Sequence, residues 1–575
     1  PSAPMGGPET GASEPAAAPT EAGADAGPWA VERGLAAGST RASMDFLVRL
    51  GPASGIAATG GAIGVPGTVG LADGPGPWNL PGALGGAERA GERRHITERL
   101  TALGAERARP VESILSLLAG RGLVANWDVF PAFGVIAVHG CSEAADAVAS
   151  APGVIEVRVV RQYRLAPARL STAPSRAASH LRETRADLAW SAFGAMGEGT
   201  TVAVIDTGAE WLHPLLRTSY RGRDGRHDHD WVDFVDTPGR QAPVDLNGHG
   251  TAVLGLVAGN DGGLATGVSP AVQWIAARAF DDRGFSTDLR LLRAAQWILA
   301  PTDLTGGDAR PDLSPDVVNG SWVMDNGADP LLGDIVATWE AAGIVSVFAA
   351  GNVATVSEAP AGILAPATFP QALAVGALDE NGLPWALSAR GPGFYGGVKP
   401  DLAAPGVRVT TAQIEGRTGY GTGTSMAAPQ VAGAACLLES LVPGLEPRDI
   451  RNLLSAAARD SDPPGSDEAT GWGVLAAAAA AELAAVTGHV AGIVSDAVDS
   501  RPLQAVVDAR PLDAAERPGF PWRASADSLG SYRLALPAGR WQLDVTAFGH
   551  EPASRVQTVV QGQWTVFDPK LRPSE

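Results

Sequence analysis

A chain of 575 residues with 45% hydrophobic side chains exceeds what one core organises, and its length alone suggests roughly four units, linkers included. The formal net charge is −19 and the only lysines are Lys399 and Lys570, so arginine supplies nearly all of the positive charge. That acidic balance argues against nucleic acid or an anionic membrane surface as partner, and no apolar run approaches the roughly 20 residues of a membrane span.

The chain starts at Pro1 with no charged-then-apolar leader, which fits either an exported protein whose leader has been removed or one that was never exported. Residues 1–40 are mostly Ala, Gly, Pro, Glu and Ser and cannot bury enough surface to offset their ordering entropy, so disorder is expected. Met44–Leu50 reads as a strand, and a Gly/Ala/Pro-rich insertion follows at 52–88. From Glu92 to Gly120 apolar residues recur at helical spacing. Strand-like segments at 123–130 and 133–139, a short helix at 142–151 and a strand at 154–160 complete a split βαβ pattern over 41–165. Residues 166–185, rich in Ala, Ser, Arg and Pro, read as a linker. The two cysteines, Cys141 and Cys436, fall in different units and read as small buried apolar residues rather than a disulfide framework.

Between 186 and 486 apolar strand-like runs (201–205, 273–278, 316–318, 344–349, 373–377) alternate with helical segments such as 287–299 and 330–342, and helices at about 425–441, 446–458 and 474–486 close the unit. The runs lack polar alternation, as strands covered on both faces do. The fold class expected is α/β, a doubly wound parallel sheet with helices on both faces. After Thr487 the texture changes to alternating strands separated by turn signals, a small antiparallel β-sandwich over 488–572.

Three stretches of the central unit carry chemistry: Val204-Ile205-Asp206-Thr207-Gly208, Asn247-Gly248-His249-Gly250-Thr251 and Gly423-Thr424-Ser425-Met426-Ala427-Ala428-Pro429. They supply an acid, a base and a hydroxyl. A serine hydroxyl attacks a carbonyl at neutral pH only if a histidine takes its proton and a carboxylate orients that histidine. Each stretch alone has a plainer reading. Asp-Thr-Gly is more often a strand-ending turn, and an aspartic protease would need a second copy, which is missing. A histidine or serine at a helix start is common. His227 and His229, within Arg-His-Asp-His-Asp, read as a solvated loop because helical ligand spacing is absent. Ser425 opens a helix with Pro429 in its first turn and does not fit the Gly-x-Ser-x-Gly elbow. A fourth element, Phe348-Ala349-Ala350-Gly351-Asn352, ends a strand with a side-chain amide able to meet an oxyanion.

In that order these motifs resemble the subtilisin-like serine peptidases, and within them the bacillopeptidase F-like branch. Segments 267–280, 296–302, 316–322 and 399–406 extend the resemblance over about 186–486. It implies a catalytic triad of Asp206, His249 and Ser425, with Asn352 and the Ser425 N–H as oxyanion donors. Ser321, Trp322 and Val323 would pair with the substrate backbone, and Ala350-Gly351 would wall the pocket for the residue before the scissile bond. Val323 stands where glycine is usual and narrows that pocket. Gln430 replaces a common histidine, a change expected to affect packing. The Asn260–Thr266 stretch is too short for the family's calcium loop, so no metal ligand is assigned; the chemistry needs no cofactor, and structural calcium is left unplaced.

Residues 41–165 resemble the propeptides of these enzymes, which act as intramolecular chaperones and inhibitors, with processing expected around 160–185. The C-terminal unit resembles the carboxypeptidase regulatory-like sandwich. The implied protein is a secreted or cell-surface monomeric endopeptidase acting on proteins or peptides, with no nucleic-acid partner and no membrane span. The competing reading is a non-catalytic binding protein that keeps the peptidase fold as a scaffold for its C-terminal sandwich.

Overall fold

Alternate residues of the central strands point to two different cores, and both sets are apolar. Val202, Val204, Val317, Val347 and Val375 join one buried cluster, while Ala203, Ile205, Val318, Phe348 and Ala374 join another. Strands of this kind form only where helices cover both faces. The computed structural model describes residues 43–51, 86–165, 170–171, 178–236, 239–324, 329–352, 362–460, 465–513 and 520–574. The expected disordered segment 1–40, most of the 52–88 insertion and part of the 166–185 linker lie outside them.

The N-terminal unit begins with β1 (Met44–Leu50), α1 (Gly86–Gly120), β2 (Val124–Phe130), β3 (Val135–Gly140), α2 (Ser142–Ala149) and β4 (Val154–Val159). Its sheet has the order β2-β3-β1-β4, with β1 antiparallel to both neighbours. β1 is apolar on both faces. Phe46, Val48 and Leu50 pack with Val111, Leu115 and Val148 of the unit's own helices. Leu47 joins the core that contains the helices of the central unit. A short strand, β5 (Gln162–Arg164), follows. The stretch read as linker then contains a short helix, α3 (Ser179–Glu183), that buries His180 and Leu181, and α4 (Ala186–Phe193) follows it.

The central unit comprises β6 (Thr201–Asp206), β7 (Trp231–Asp233), α5 (His249–Ala258), β8 (Gln273–Arg278), β9 (Phe285–Thr287), α6 (Asp288–Leu299), β10 (Val317–Gly320), α7 (Pro330–Ala341), β11 (Val345–Ala349) and β12 (Ala372–Leu378). A short hairpin of β13 (Gly391–Pro392) and β14 (Val398–Lys399) leads to β15 (Leu402–Pro405). A second hairpin, β16 (Val409–Gln413) and β17 (Arg417–Gly421), precedes α8 (Thr424–Leu441), α9 (Pro447–Ala457) and α10 (Ala477–Ala485). Seven strands form one parallel sheet in the order β15-β12-β11-β10-β6-β8-β7. α5 and α8 cover one face, and α6 and α7 cover the other. In this register Val317 faces Val202 and Val345, so β6, β10 and β11 end side by side.

Strands 487–493, 531–537 and 564–566 form one C-terminal sheet, and strands 506–511, 522–525, 539–546 and 553–559 form another. Their buried residues continue the core that contains α8 and α10. The C-terminal unit is also pinned to α9, where Ala535 N–H donates to Asp449 Oδ1 at 3.1 Å. Among the described residues, no helix is long and apolar enough to cross a membrane.

Candidate active site

β6 ends on Asp206 at the carboxyl edge of the sheet, where parallel sheets place their sites. α5 starts at His249, and Gly250 lets it start there: a Cβ on Gly250 would lie 2.1 Å from Gly208 O and 3.2 Å from Asp206 Cβ. The imidazole is thereby brought onto the carboxylate, with His249 Nδ1–H donating to Asp206 Oδ1 at 2.7 Å. Thr207 N–H donates to the same oxygen at 2.7 Å. Both side chains are almost fully buried, at 1% and 3% exposure. Burial is the largest influence on His249 and pulls its pKa down. The Asp206 charge and hydrogen bond, with the charge of Asp245, outweigh it, so the imidazole titrates above its ordinary range.

Asp245 is a residue that motif reading passed over. Its Oδ1 accepts from Thr207 Oγ1 at 2.9 Å, Asn247 N at 3.0 Å and Gly248 N at 2.8 Å. Its Oδ2 accepts from Thr251 N at 2.9 Å and Thr251 Oγ1 at 2.8 Å. One buried carboxylate therefore joins the turn after Asp206 to the first turn of α5 and sets where His249 stands. The available signal was an acid four residues before the histidine, inside a glycine-rich run.

Ser425 is the second residue of α8, and Pro429 falls in the second turn rather than the first. Proline has no N–H to return to the carbonyl four residues back. The orphaned Ser425 carbonyl accepts instead from Ser321 Oγ at 3.0 Å, while Ser425 Oγ donates to Ser321 O at 3.2 Å. Among the described residues, His249 Nε2 and Asp206 Oδ2 are buried without a hydrogen-bond partner.

Asn352 lies just past the end of β11. Its Oδ1 accepts from Thr424 N at 3.0 Å and Thr424 Oγ1 at 2.9 Å, which turns the amide nitrogen the other way. Gly423, at φ +144°, opens the space beside it: a Cβ there would stand 3.1 Å from Asn352 Nδ2 and 3.7 Å from Ser425 N. Both donors thus border one small region in front of Ser425.

The remaining expected site residues contribute in different ways. The Trp322 side chain turns into the core between Phe280 and Phe348 and donates from Nε1 to Ile205 O at 3.1 Å, so the indole is taken up by the core. Ala350 is buried and its N–H bonds Val375 O. The Val323 methyls lie 3.5 and 3.6 Å from the position a Gly351 Cβ would take, filling the space between the two segments. Gln430 spans backbone groups, donating to Pro405 O and Met426 O at 2.6 and 2.8 Å. His227 is not solvated as expected. It packs against Trp211 and Tyr220, with Tyr220 Oη and His227 Nδ1 at 3.0 Å, because the loop folds onto an aromatic cluster. Cys141 and Cys436 are free and buried. In the turn at 260–264 the Asp261 carboxylate is taken by the N–H groups of Gly263 and Leu264.

Residues 197–473 match the subtilase family of S8 peptidases. Over 292 residues the chain is 30% identical to Subtilisin Savinase of Lederbergia lenta, covering 50% of this chain and 92% of that protein. The chain belongs to the subtilase family. It is also 36% identical over 382 residues to Bacillopeptidase F of Bacillus subtilis (strain 168), which covers 62% of this chain but 26% of the relative. Serine protease AprX of the same organism is 31% identical over 300 residues, 46% of this chain and 63% of the relative. The chain thus spans only part of these two larger relatives. The seven-stranded parallel sheet with its flanking helices is the subtilase α/β fold expected for 186–486.

Proposed function

We propose that the chain is a serine endopeptidase acting on proteins or peptides through Asp206, His249 and Ser425, made as a self-processing zymogen. The observation that carries the reading is the buried Asp206–His249 pair, whose free Nε2 is left for a serine on the neighbouring helix start.

In this mechanism Ser425 Oγ turns from Ser321 O to His249 Nε2, gives up its proton there and bonds to the substrate carbonyl carbon. The oxyanion receives hydrogen bonds from Asn352 Nδ2 and Ser425 N. Removing one such donor costs about 10²–10³ in rate, a magnitude established on a subtilisin, the same family. As the tetrahedral species collapses, His249 returns the proton to the leaving amine. Water then repeats the sequence on the acyl-enzyme. Asp206 stays ionised and holds the imidazole in the tautomer that presents Nε2. General-base help of this kind contributes roughly 10²–10⁴. No step requires a metal or cofactor, and structural calcium remains unplaced. Ser321, Trp322 and Val323 offer backbone to the substrate, and Val323 with Gly351 limits the pocket beside it.

The unit 41–165 is read as an inhibitory propeptide. Its trailing strand β5 pairs antiparallel with β9, Leu165 N–H donates to Gly284 O at 2.8 Å, and Leu170 reaches Gly248, beside His249. Those contacts flank the triad and agree with processing within 160–185. The C-terminal sheets are assigned to a carboxypeptidase regulatory-like domain, and a secreted or cell-surface monomer is the expected setting. The deciding experiment is labelling with a fluorophosphonate followed by peptide mapping. The reading requires modification of Ser425 in processed protein and none in Ser425→Ala. Processed wild type that stays unlabelled contradicts it and favours a scaffold role.

A further inference from the structure

Two buried acids of the central unit take their cationic partners from the N-terminal unit. Asp288, the first residue of α6, is 1% exposed, and Asp329, the cap of α7, is 2% exposed. Asp288 Oδ1 accepts from Tyr163 Oη at 2.6 Å, and its Oδ2 accepts from Arg161 N at 2.9 Å. Arg158 lies between the two acids, with Nη1 3.0 Å from Asp288 Oδ2 and Nη2 3.3 Å from Asp329 Oδ2. Arg161 Nη1 is 3.4 Å from Asp329 Oδ2. Among the described residues, the central unit itself gives the pair only Leu331 N–H, on Asp329 Oδ1 at 3.0 Å.

Two further observations make this more than an acidic cluster. The Arg158 side chain is only 8% exposed, and its guanidinium lies between the two carboxylates within ion-pair distance of each, so the pair already accepts this shape and charge. Tyr163 sits in an extended segment on the edge of β9, in the register Gln162 to Thr287, Tyr163 to Ser286 and Arg164 to Phe285. Among the described residues, β5 is the only ladder partner of β9. Once β5 leaves, β9 offers a free edge to another extended chain, and strand addition is how such an edge binds a peptide.

We propose that Asp288 and Asp329 form an acidic pocket that selects an arginine side chain of the substrate at the position Tyr163 holds in the unprocessed chain. This rests on the peptidase reading and on loss of the N-terminal unit during maturation. Departure of that unit removes Arg158, Arg161 and Tyr163 together and leaves two carboxylates with no cation. Both acids are buried with that unit in place, so its departure also opens them to water, and a cation that covers them again regains the ion pairs Arg158 makes now. A phenol would return one donor and no charge. A guanidinium returns the charge and a fork of donors that matches carboxylate geometry.

The test is a cleavage-site profile of the processed, fluorophosphonate-reactive enzyme on a peptide library, repeated with Asp288→Asn and Asp329→Asn. The wild type is expected to enrich Arg at one fixed position on the amino side of the scissile bond. Matched peptides with Arg or Gln there should differ in kcat/KM by about ten-fold or more, as a hydrogen-bonded charge pair does. Either substitution should shrink that ratio, and the wild-type profile stands alone if a variant fails to mature. Enzyme that labels at Ser425 but shows no basic preference at any such position overturns the pocket and leaves the peptidase reading intact. Enzyme that neither labels nor cleaves removes both.

Discussion

Asp245→Asn tests whether a residue outside the triad sets the geometry and basicity of His249. The carboxylate receives five hydrogen bonds, three on Oδ1 and two on Oδ2. An amide keeps the volume but offers one accepting oxygen. The cheaper orientation leaves the oxygen facing Asn247, Gly248 and Thr207 and turns the NH2 toward Thr251. The Thr251 hydroxyl can rotate to accept, but its N–H cannot, and Thr251 is fully buried. Stranding one buried N–H and replacing charge-assisted bonds by neutral ones costs about 2–4 kcal/mol. A domain with 5–15 kcal/mol of stability survives that loss. Asp245 also helps to raise the His249 pKa, so neutralising it lowers that pKa. A general base works unprotonated, and the acid limb of the kcat/KM–pH profile must therefore move to lower pH. Urea unfolding and a pH–rate profile against a peptide substrate measure both effects. An unmoved acid limb together with less than about 1 kcal/mol of lost stability would refute the role given to Asp245.

Asn352→Ala should lower kcat by about 10²–10³ with little change in KM, because the lost donor acts only on the oxyanion; an equal rise in KM would place Asn352 in ground-state binding instead. Ser321→Ala leaves the Ser425 carbonyl without its hydroxyl partner, so unfolding free energy should fall by about 1–3 kcal/mol and peptidase activity with it. His180 is fully buried on Thr266 O, and burial pulls its pKa down to about 4 despite that bond. The unfolded chain therefore takes the proton first as pH falls. Stability present above the ordinary value of 6.5 should be lost progressively down to about 4, by up to about 3 kcal/mol. His489, held near 4 by burial and Arg533, acts in the same window, so His180→Gln should flatten the slope of stability against pH without abolishing it.

Much of the sheet was legible because doubly covered strands such as Thr201–Asp206 and Ala372–Leu378 are continuous apolar runs. β7 and β15 were not. Trp231–Asp233 is three residues inside a charged loop, and Leu402–Pro405 ends in a proline that argues against a strand. The proposed acid, base, hydroxyl and amide stand out in the sequence because each sits beside glycine or another small residue at an element boundary, which is where the structure places them. Asp245 and Asp288 were not, since an acid in a polar loop or at a helix start looks like ordinary capping. Their partners lie 38 and 125 positions away and meet only in the fold. His227 was misjudged for the same reason, because its polar neighbours in sequence hide Trp211 and Tyr220 in space.

The measurement that tests the central claim most directly is intact mass over time for the purified full chain beside Ser425→Ala. The account predicts that the wild type sheds an N-terminal fragment ending between 160 and 185 while Ser425→Ala stays whole. The same fragment released at the same rate from both chains would contradict it.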